Sequence, residues 1–173
     1  MISKLWSQID KLIYIVMKFI FVKCLKKPYE NVQHDAFMQF VKFGIVGVSN
    51  TVISYVLYAG TLLILQKTYL FPKIDYLLAQ VVAFALSVLW SFYWNNKMVF
   101  TVEEGANRIW WKALIKTYIS YSFTGLFLNS ILLVLWVKAC GISEFIAPII
   151  NLLISVPVNF LINKFWAFKE ELN

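Results

Sequence analysis

The sequence predicts an all-α membrane protein, with four transmembrane helices arranged as two parallel two-helix repeats and an amphipathic interfacial helix in front of them. Three observations predict it. The first is composition: 61% of the residues are hydrophobic, 14% are charged and the mean hydropathy is +0.71, against roughly 45–50% apolar and about 25% charged in a soluble domain. The second is spacing. Residues 43–65, 76–94, 115–137 and 145–162 each supply the apolar run of about 20 residues that a span requires. The third is duplication: residues 91–100 (SFYWNNKMVF) and 159–168 (NFLINKFWAF) align without gaps at an offset of 68. Extended upstream, the alignment holds six identities over 22 positions, among them Ser87 with Ser155, Asn95 with Asn163 and Phe100 with Phe168. Internal repeats of this kind recur in transporters.

Residues 1–36 read as a separate element, and 37–169 as the membrane domain, with repeat one at 37–100 and repeat two at 111–169. Lys4, Lys11 and Lys18 recur every seven residues, on one helical stripe with Ser7 and Gln8. Leu5, Trp6, Ile9, Leu12, Ile13, Val16, Phe19 and Ile20 fall on the opposite arc. That pattern is a basic amphipathic helix lying in the interface, where it would meet anionic lipids or dock a partner enzyme. Lys23, Lys26 and Lys27, followed by Pro28, end it and add attraction to anionic head groups. His34, between Gln33 and Asp35, reads as a solvated loop residue.

All four spans are expected to be helices, because unpaired backbone groups cannot face lipid and no alternating barrel pattern is present. The connections at 66–75 and 138–144 are short, and the middle one, 95–114, carries Glu103, Glu104, Gly105 and Arg108. Lysine and arginine set the orientation: one side carries 13 of the 16 basic residues, and Lys67, Lys73 and Lys138 make up the other. By the positive-inside rule both termini are cytoplasmic. Each repeat then starts and ends in the cytoplasm, so the two are related by an axis along the membrane normal. Cys24 and Cys140 fall on opposite sides and show no metal or disulfide spacing; no cofactor or metal is expected, and nothing points to nucleic acid or to an enzyme.

Polar residues inside spans tend to face the bundle interior. Asn151, Ser155, Asn159 and Asn163 recur every four residues along the fourth span, and Ser87, Ser91 and Asn95 repeat that spacing in the second. Asn50 and Asn129 lie on the first and third spans, with Gly44, Gly47 and Gly125 expected to allow close helix approach nearby. Pro157 is expected to free a carbonyl and kink the fourth span. Two readings stay open for these side chains: hydrogen bonds that join helices, or the walls of a polar path. No Asp or Glu lies within a span, whereas a proton-coupled antiporter depends on an embedded carboxylate. Lys42, Lys97, Lys112, Lys116 and Lys164 cluster at the cytoplasmic ends, either as ordinary interfacial cations or as a phosphate site.

FVKFGIVGVSN at 40–50, a second two-helix unit and the closing NFLINKFWAF at 159–168 resemble the GtrA-like family. Asn159, Phe160, Asn163, Lys164, Trp166 and Phe168 carry its terminal pattern; the first copy departs from it at Ser91, Asn96 and Met98. The resemblance implies a translocase that moves a polyprenyl-phosphate-linked monosaccharide across the bacterial cytoplasmic membrane for cell-surface polysaccharide or teichoic acid glycosylation. Under it, Lys164 and Lys97 engage the phosphate, while Asn159, Asn163, Ser155, Ser91 and Asn95 meet sugar hydroxyls, with Asn50 and Asn129 on the facing helices. Four helices enclose little volume, which is consistent with a homo-oligomer. The alternative is a non-transporting membrane scaffold that recruits a glycosyltransferase through residues 1–36.

Overall fold

The computed structural model of the chain describes residues 2–102, 107–143 and 146–169. It divides into two compact units, Met1–Lys42 and Phe43–Asn173.

In the first unit, helix α1 (Ile2–Phe19) closes in a wider π-helical turn, Ile20–Cys24. Lys26 then takes a left-handed conformation (φ 52°) ahead of Pro28, so the chain cannot continue as helix, and α2 starts afresh at Asn31. His34 therefore sits in the first turn of a helix rather than in a solvated loop. It is buried: Nδ1 meets the Tyr29 hydroxyl at 3.0 Å, Nε2 meets Asp10 Oδ1 at 3.2 Å, and the Tyr14 ring packs edge-on at 5.1 Å. No local pattern shows this, because Asp10 and Tyr14 come from another helix. Burial pushes the Tyr29 phenol above its usual value near 10, with Tyr14, Asp10 and Asp35 acting in the same direction. On the other side of α1, Leu12, Val16 and Phe19 are exposed, the bare apolar arc of an amphipathic helix.

The remaining chain holds the membrane domain. Among the described residues, four helical stretches are long and apolar enough to span: Asn31–Lys67 (α2), Asp75–Val99, Trp110–Ala139 and Ile149–Ala167. The second is α3 (Asp75–Trp94) continued by a π-helical turn, Asn95–Val99. The third comprises α4 (Trp110–Ser122) and α5 (Asn129–Val134), joined and ended by π-helical segments Phe123–Leu128 and Leu135–Ala139. The fourth is α6 (Ala147–Ile162) with its own turn, Asn163–Ala167; Pro157 lies inside this helix. The residues expected to open the middle loop, 95–99, are thus helical, while Glu103, Glu104, Gly105 and Phe145 fall outside the described residues. Gly141 follows the third span at φ 67°, where the Ile142 amide bonds back to the Trp136 carbonyl at 2.9 Å. That left-handed cap costs glycine nothing.

The two related endings fold alike. Each π-helical turn begins at the shared asparagine, and each closes with a 2.8 Å amide bond from phenylalanine, Phe100 to the Asn95 carbonyl and Phe168 to the Asn163 carbonyl. Their rings then interlock reciprocally. Phe92 of the first copy stacks on Phe168 of the second at 5.5 Å, and Phe160 of the second stacks on Phe100 of the first at 5.9 Å. Phe100 and Phe168, which are equivalent positions, stack on each other at 4.7 Å. Reciprocal contacts around a self-contact mark a two-fold relation, here passing between Phe100 and Phe168. Because both copies finish at it, the repeats run parallel.

Candidate functional site

The predicted polar stripes face inward. Ser87, Ser91 and Asn95 on the second span, and Asn151, Ser155 and Asn163 on the fourth, are all buried. Helix α4 lies between the stripes and answers both with consecutive residues. Tyr121 takes the second span, its hydroxyl 2.5 Å from Ser91 Oγ and 3.4 Å from Asn95 Nδ2, which also donates to Ser91 at 3.1 Å. Ser120 takes the fourth. Its hydroxyl donates to Asn159 Oδ1 at 2.8 Å and accepts from Asn163 Nδ2 at 3.0 Å, and Asn163 also donates to the Asn159 carbonyl at 2.8 Å. Neighbouring residues on a helix point about 100° apart, which lets one helix clamp two partners. The Ser91 hydroxyl and the Asn95 and Asn163 amino groups are engaged in these clamps, while Asn95 Oδ1 and Asn163 Oδ1 are buried without a partner; none of the three residues lines either of the cavities described next.

Between α2 and the third and fourth spans lies a cavity of about 330 Å³. Gly44, Gly47, Asn50 and Thr51 form its α2 wall, Tyr121, Thr124 and Asn129 the third-span wall, and Ser155 and Asn159 the fourth. Four of the predicted residues, Asn50, Asn129, Ser155 and Asn159, therefore meet around one space. The Oδ1 atoms of Asn50 and Asn129 are buried without a hydrogen-bond partner. The Oδ1 atoms of Asn95, Asn151 and Asn163 are likewise buried without a partner. An acceptor left unpaired away from water costs about 1–3 kcal/mol, so the two on cavity-lining residues would gain from a hydroxyl that reached them. A second cavity of about 450 Å³ shares Gly125 and Asn129 and continues to Ser130 and Asn151. Asn151 Nδ2 donates to the Asn129 carbonyl at 3.0 Å.

The glycines do something other than expected. A Cβ added at Gly44, Gly47 or Gly125 would meet nothing within 4 Å. They do not bring helices into close approach; they keep a cavity open. The sequence motif alone cannot separate these roles, since both need a small side chain.

Sequence reasoning also passed over Ser120, Tyr121 and Thr124. The signal was present as Thr117, Ser120, Tyr121 and Thr124 at helical spacing, all but Tyr121 buried to 3% exposure or less.

A model of the GtrA/DPMS transmembrane domain matches residues 42–168. The chain belongs to the GtrA/DPMS family. The matched region runs from the residue before Phe43 to the second closing phenylalanine, so it takes in both interlocked endings and all walls of the cavity. A Bacillus subtilis (strain 168) relative, "Uncharacterized membrane protein YngA", is 25% identical over 132 residues, covering 76% of this chain and 80% of the relative. No solved structure matches. The GtrA/DPMS domain is a multi-pass membrane protein, and membership ties it at family level to lipid-linked sugar translocation.

The cations of this GtrA/DPMS domain gather at the end where both repeats finish. Lys97 is exposed and lies over the Tyr93 and Trp94 rings, each at 5.6 Å. Lys164 is half-buried over Phe160 at 5.7 Å and Phe165 at 5.9 Å. Neither lines the cavity. Arg108 was expected only as a loop cation. It donates to the Phe100 carbonyl at 2.6 Å and to Asn96 Oδ1 at 2.8 Å, and stands over the Phe168 ring at 5.3 Å, tying the two endings together. Lys116 donates to the Trp166 carbonyl at 3.3 Å, one of the acceptors a helix end leaves open.

Proposed function

We propose that this domain carries a polyprenyl-phosphate-linked monosaccharide across the bacterial cytoplasmic membrane, for cell-surface polysaccharide or teichoic acid glycosylation. The observation that carries the reading is the cavity at which Asn50, Asn129, Ser155 and Asn159 of three spans meet among apolar side chains such as Val48 and Leu152, the Asn50 and Asn129 oxygens being without a partner. A sugar brings hydroxyl donors to such acceptors, and its volume falls within the usual 300–1,000 Å³ range of small-molecule sites. Lys164 and Lys97 would hold the phosphate at the interface, with both termini cytoplasmic. Asn159 and Ser155 would meet the sugar directly, whereas Ser91, Asn95 and Asn163 would hold the walls in place. The protein acts as a carrier rather than a catalyst, alone or as a homo-oligomer, in contact with anionic lipids.

One observation favours the scaffold alternative: the exposed arc of Leu12, Val16 and Phe19 could seat a glycosyltransferase as well as a bilayer. Purified protein in liposomes separates the two. The expected result is that a labelled polyprenyl-phosphate glucose crosses faster than in empty vesicles, that the rate survives deletion of residues 1–30, and that it falls on Lys164→Ala but not on Lys67→Ala. No acceleration over empty vesicles would sink the carrier reading.

A further inference from the structure

A third space, an open chamber along which Thr51, Tyr55 and Gln80 are exposed, lies farther along α2. Its volume is about 320 Å³, and six of its seven lining residues are polar or carry a hydroxyl: Asn50, Thr51, Ser54, Tyr55, Tyr58 and Gln80. Asn50 and Thr51 also line the first cavity, so the two spaces share one wall. Gly44, Gly47, Thr51, Ser54 and Tyr58 are spaced 3, 4, 3 and 4, which puts them on one face of α2. Gly44 and Tyr58 are 14 positions apart, a rise of about 21 Å in a hydrocarbon core about 30 Å thick. The face thus presents polar or open positions across most of the membrane.

Hydrogen bonding between helices does not account for the upper part of that face. Among the described residues, the side chains of Ser54, Tyr55, Tyr58 and Gln80 make no hydrogen bond to the protein, and that of Thr51 bonds only to the Gly47 carbonyl of its own helix, at 3.1 Å. Polar groups at membrane depth are costly unless something pairs them, and side chains that are not joining helices mark substrate pathways. No charged residue lines either chamber. A buried charge there would find no counter-charge, at a cost of several kcal/mol.

We infer that the space bounded by Ser54, Tyr58 and Gln80 is a second binding site for the hydroxyls of an uncharged sugar, with Asn50 and Thr51 as the waist between it and the first cavity. The inference rests on the carrier reading for its purpose but is tested by binding. The two tyrosines offer ring faces to a sugar ring, and Gln80 offers both a donor and an acceptor. An uronate or an amino sugar would arrive with a charge that neither chamber answers. The phosphate stays with the interfacial cations while the neutral ring occupies the chamber.

The test uses the full chain carrying Cys24→Ser and Cys140→Ser, in lipid nanodiscs. Ser54→Cys is added to it, with Val56→Cys, at an exposed position that lines neither chamber, as control. A membrane-impermeant thiosulfonate reads accessibility. Three probes are compared: citronellyl phosphate-linked glucose, its glucuronate counterpart, and citronellyl phosphate alone. At about ten times its dissociation constant the glucose probe should slow labelling at Ser54→Cys about tenfold. It should leave Val56→Cys unchanged, and the other two probes should protect neither. Equal protection by the bare phosphate or the glucuronate overturns the inference. So does a labelling rate that falls with protein density without any probe, since a second copy would then cover the chamber. Because Ser54→Cys itself can weaken binding, Gln80→Leu is measured as well by direct binding of the radiolabelled glucose probe. It should bind at least several-fold more weakly while eluting from size exclusion as wild type does, and unchanged affinity counts against the site. Protection without liposome transport would remove the carrier reading and leave the site standing.

Discussion

The sharpest expectation concerns Gly47. If it existed to let two helices touch, an added methyl would overpack the contact and cost about 1–3 kcal/mol. Instead a Cβ there meets nothing within 4 Å, and the space beyond it holds about 330 Å³. Only the backbone term then remains, and alanine is better than glycine in a helix interior by about 0.8–1.0 kcal/mol. Gly47→Ala should therefore stabilise the domain by a little under 1 kcal/mol, so the two accounts differ in sign. Gly47→Leu tests what the space is for. Its side chain should enter the cavity without displacing a helix, leaving stability near that of Gly47→Ala. It should also block a sugar from lying between Asn50 and Asn129, and a barrier raised by about 1.4–2.8 kcal/mol slows passage about 10- to 100-fold. Reversible unfolding in mixed micelles reads the first effect, and liposome transport of a labelled polyprenyl-phosphate glucose reads the second. A destabilised Gly47→Ala would refute the open-cavity account of the glycine. A stable Gly47→Leu with wild-type transport would refute the cavity as the path.

Three further outcomes follow from the same geometry. Asn163→Ala removes donations to Ser120 and to the Asn159 carbonyl, and contacts of this kind average about 0.6 kcal/mol each. The expected loss is about 1–2 kcal/mol by micellar unfolding; Asn95→Ala should cost less, because its 3.4 Å approach to Tyr121 is long. Double-mutant cycles on Phe92 with Phe168, and on Phe100 with Phe160, should each return a coupling of about 0.5–1.5 kcal/mol, equal to within about 0.5 kcal/mol, since the pairs are related by the two-fold. A coupling confined to one pair would break the symmetry argument. Tyr29 makes the N-terminal unit sensitive to alkali. Its pKa is raised on folding, mainly by burial, so its neutral form is the one the fold prefers. That contribution is complete below pH 10 and is lost as pH rises through the raised value. Circular dichroism of the isolated effect, wild type against Tyr29→Phe, should show alkaline loosening in the wild type alone.

The helices were legible in the sequence because the bilayer imposes their length and forbids other backbone solutions. Their inward faces were legible too, since Asn and Ser at four-residue spacing in apolar text have few places to go. What each polar residue does there was not. Asn159 and Asn163 are one turn apart on the same stripe, yet Asn159 reaches the cavity and Asn163 is sealed behind it. That difference depends on where Ser120 of another helix falls, which no local pattern encodes. His34 failed for the same reason: its environment is set by Asp10 and Tyr14, some twenty residues earlier. The π-helical endings were hidden because the residues after Asn95 and Asn163 look like the start of a loop, and it is the amide of a phenylalanine five positions on that closes the turn.

The duplication and the cavity now bear on each other. At their endings the two repeats are used equally, each asparagine opening a π-helical turn and each phenylalanine stacking across the axis. At their first helices they are not. The third span offers Thr117, Ser120, Tyr121 and Thr124 inward and is clamped to both neighbours through Ser120 and Tyr121. The first span offers Gly44, Gly47 and Thr51 on its inward face, none of which reaches a partner helix by hydrogen bond. Among the described residues its ties from Phe43 onward include the Phe43 ring against Phe100 and Phe160 and a 3.2 Å bond from the Trp90 indole to Ser49. One helix of four is thus held near the shared ending and left loose above it, and local stability follows the density of such ties. A symmetric pair of halves would have closed both sides alike. At the offset of 68 that relates the endings, Val52 and Ile53 stand where Ser120 and Tyr121 make the clamps, and neither side chain can hydrogen-bond; the open space lies beside the glycines of that unclamped helix.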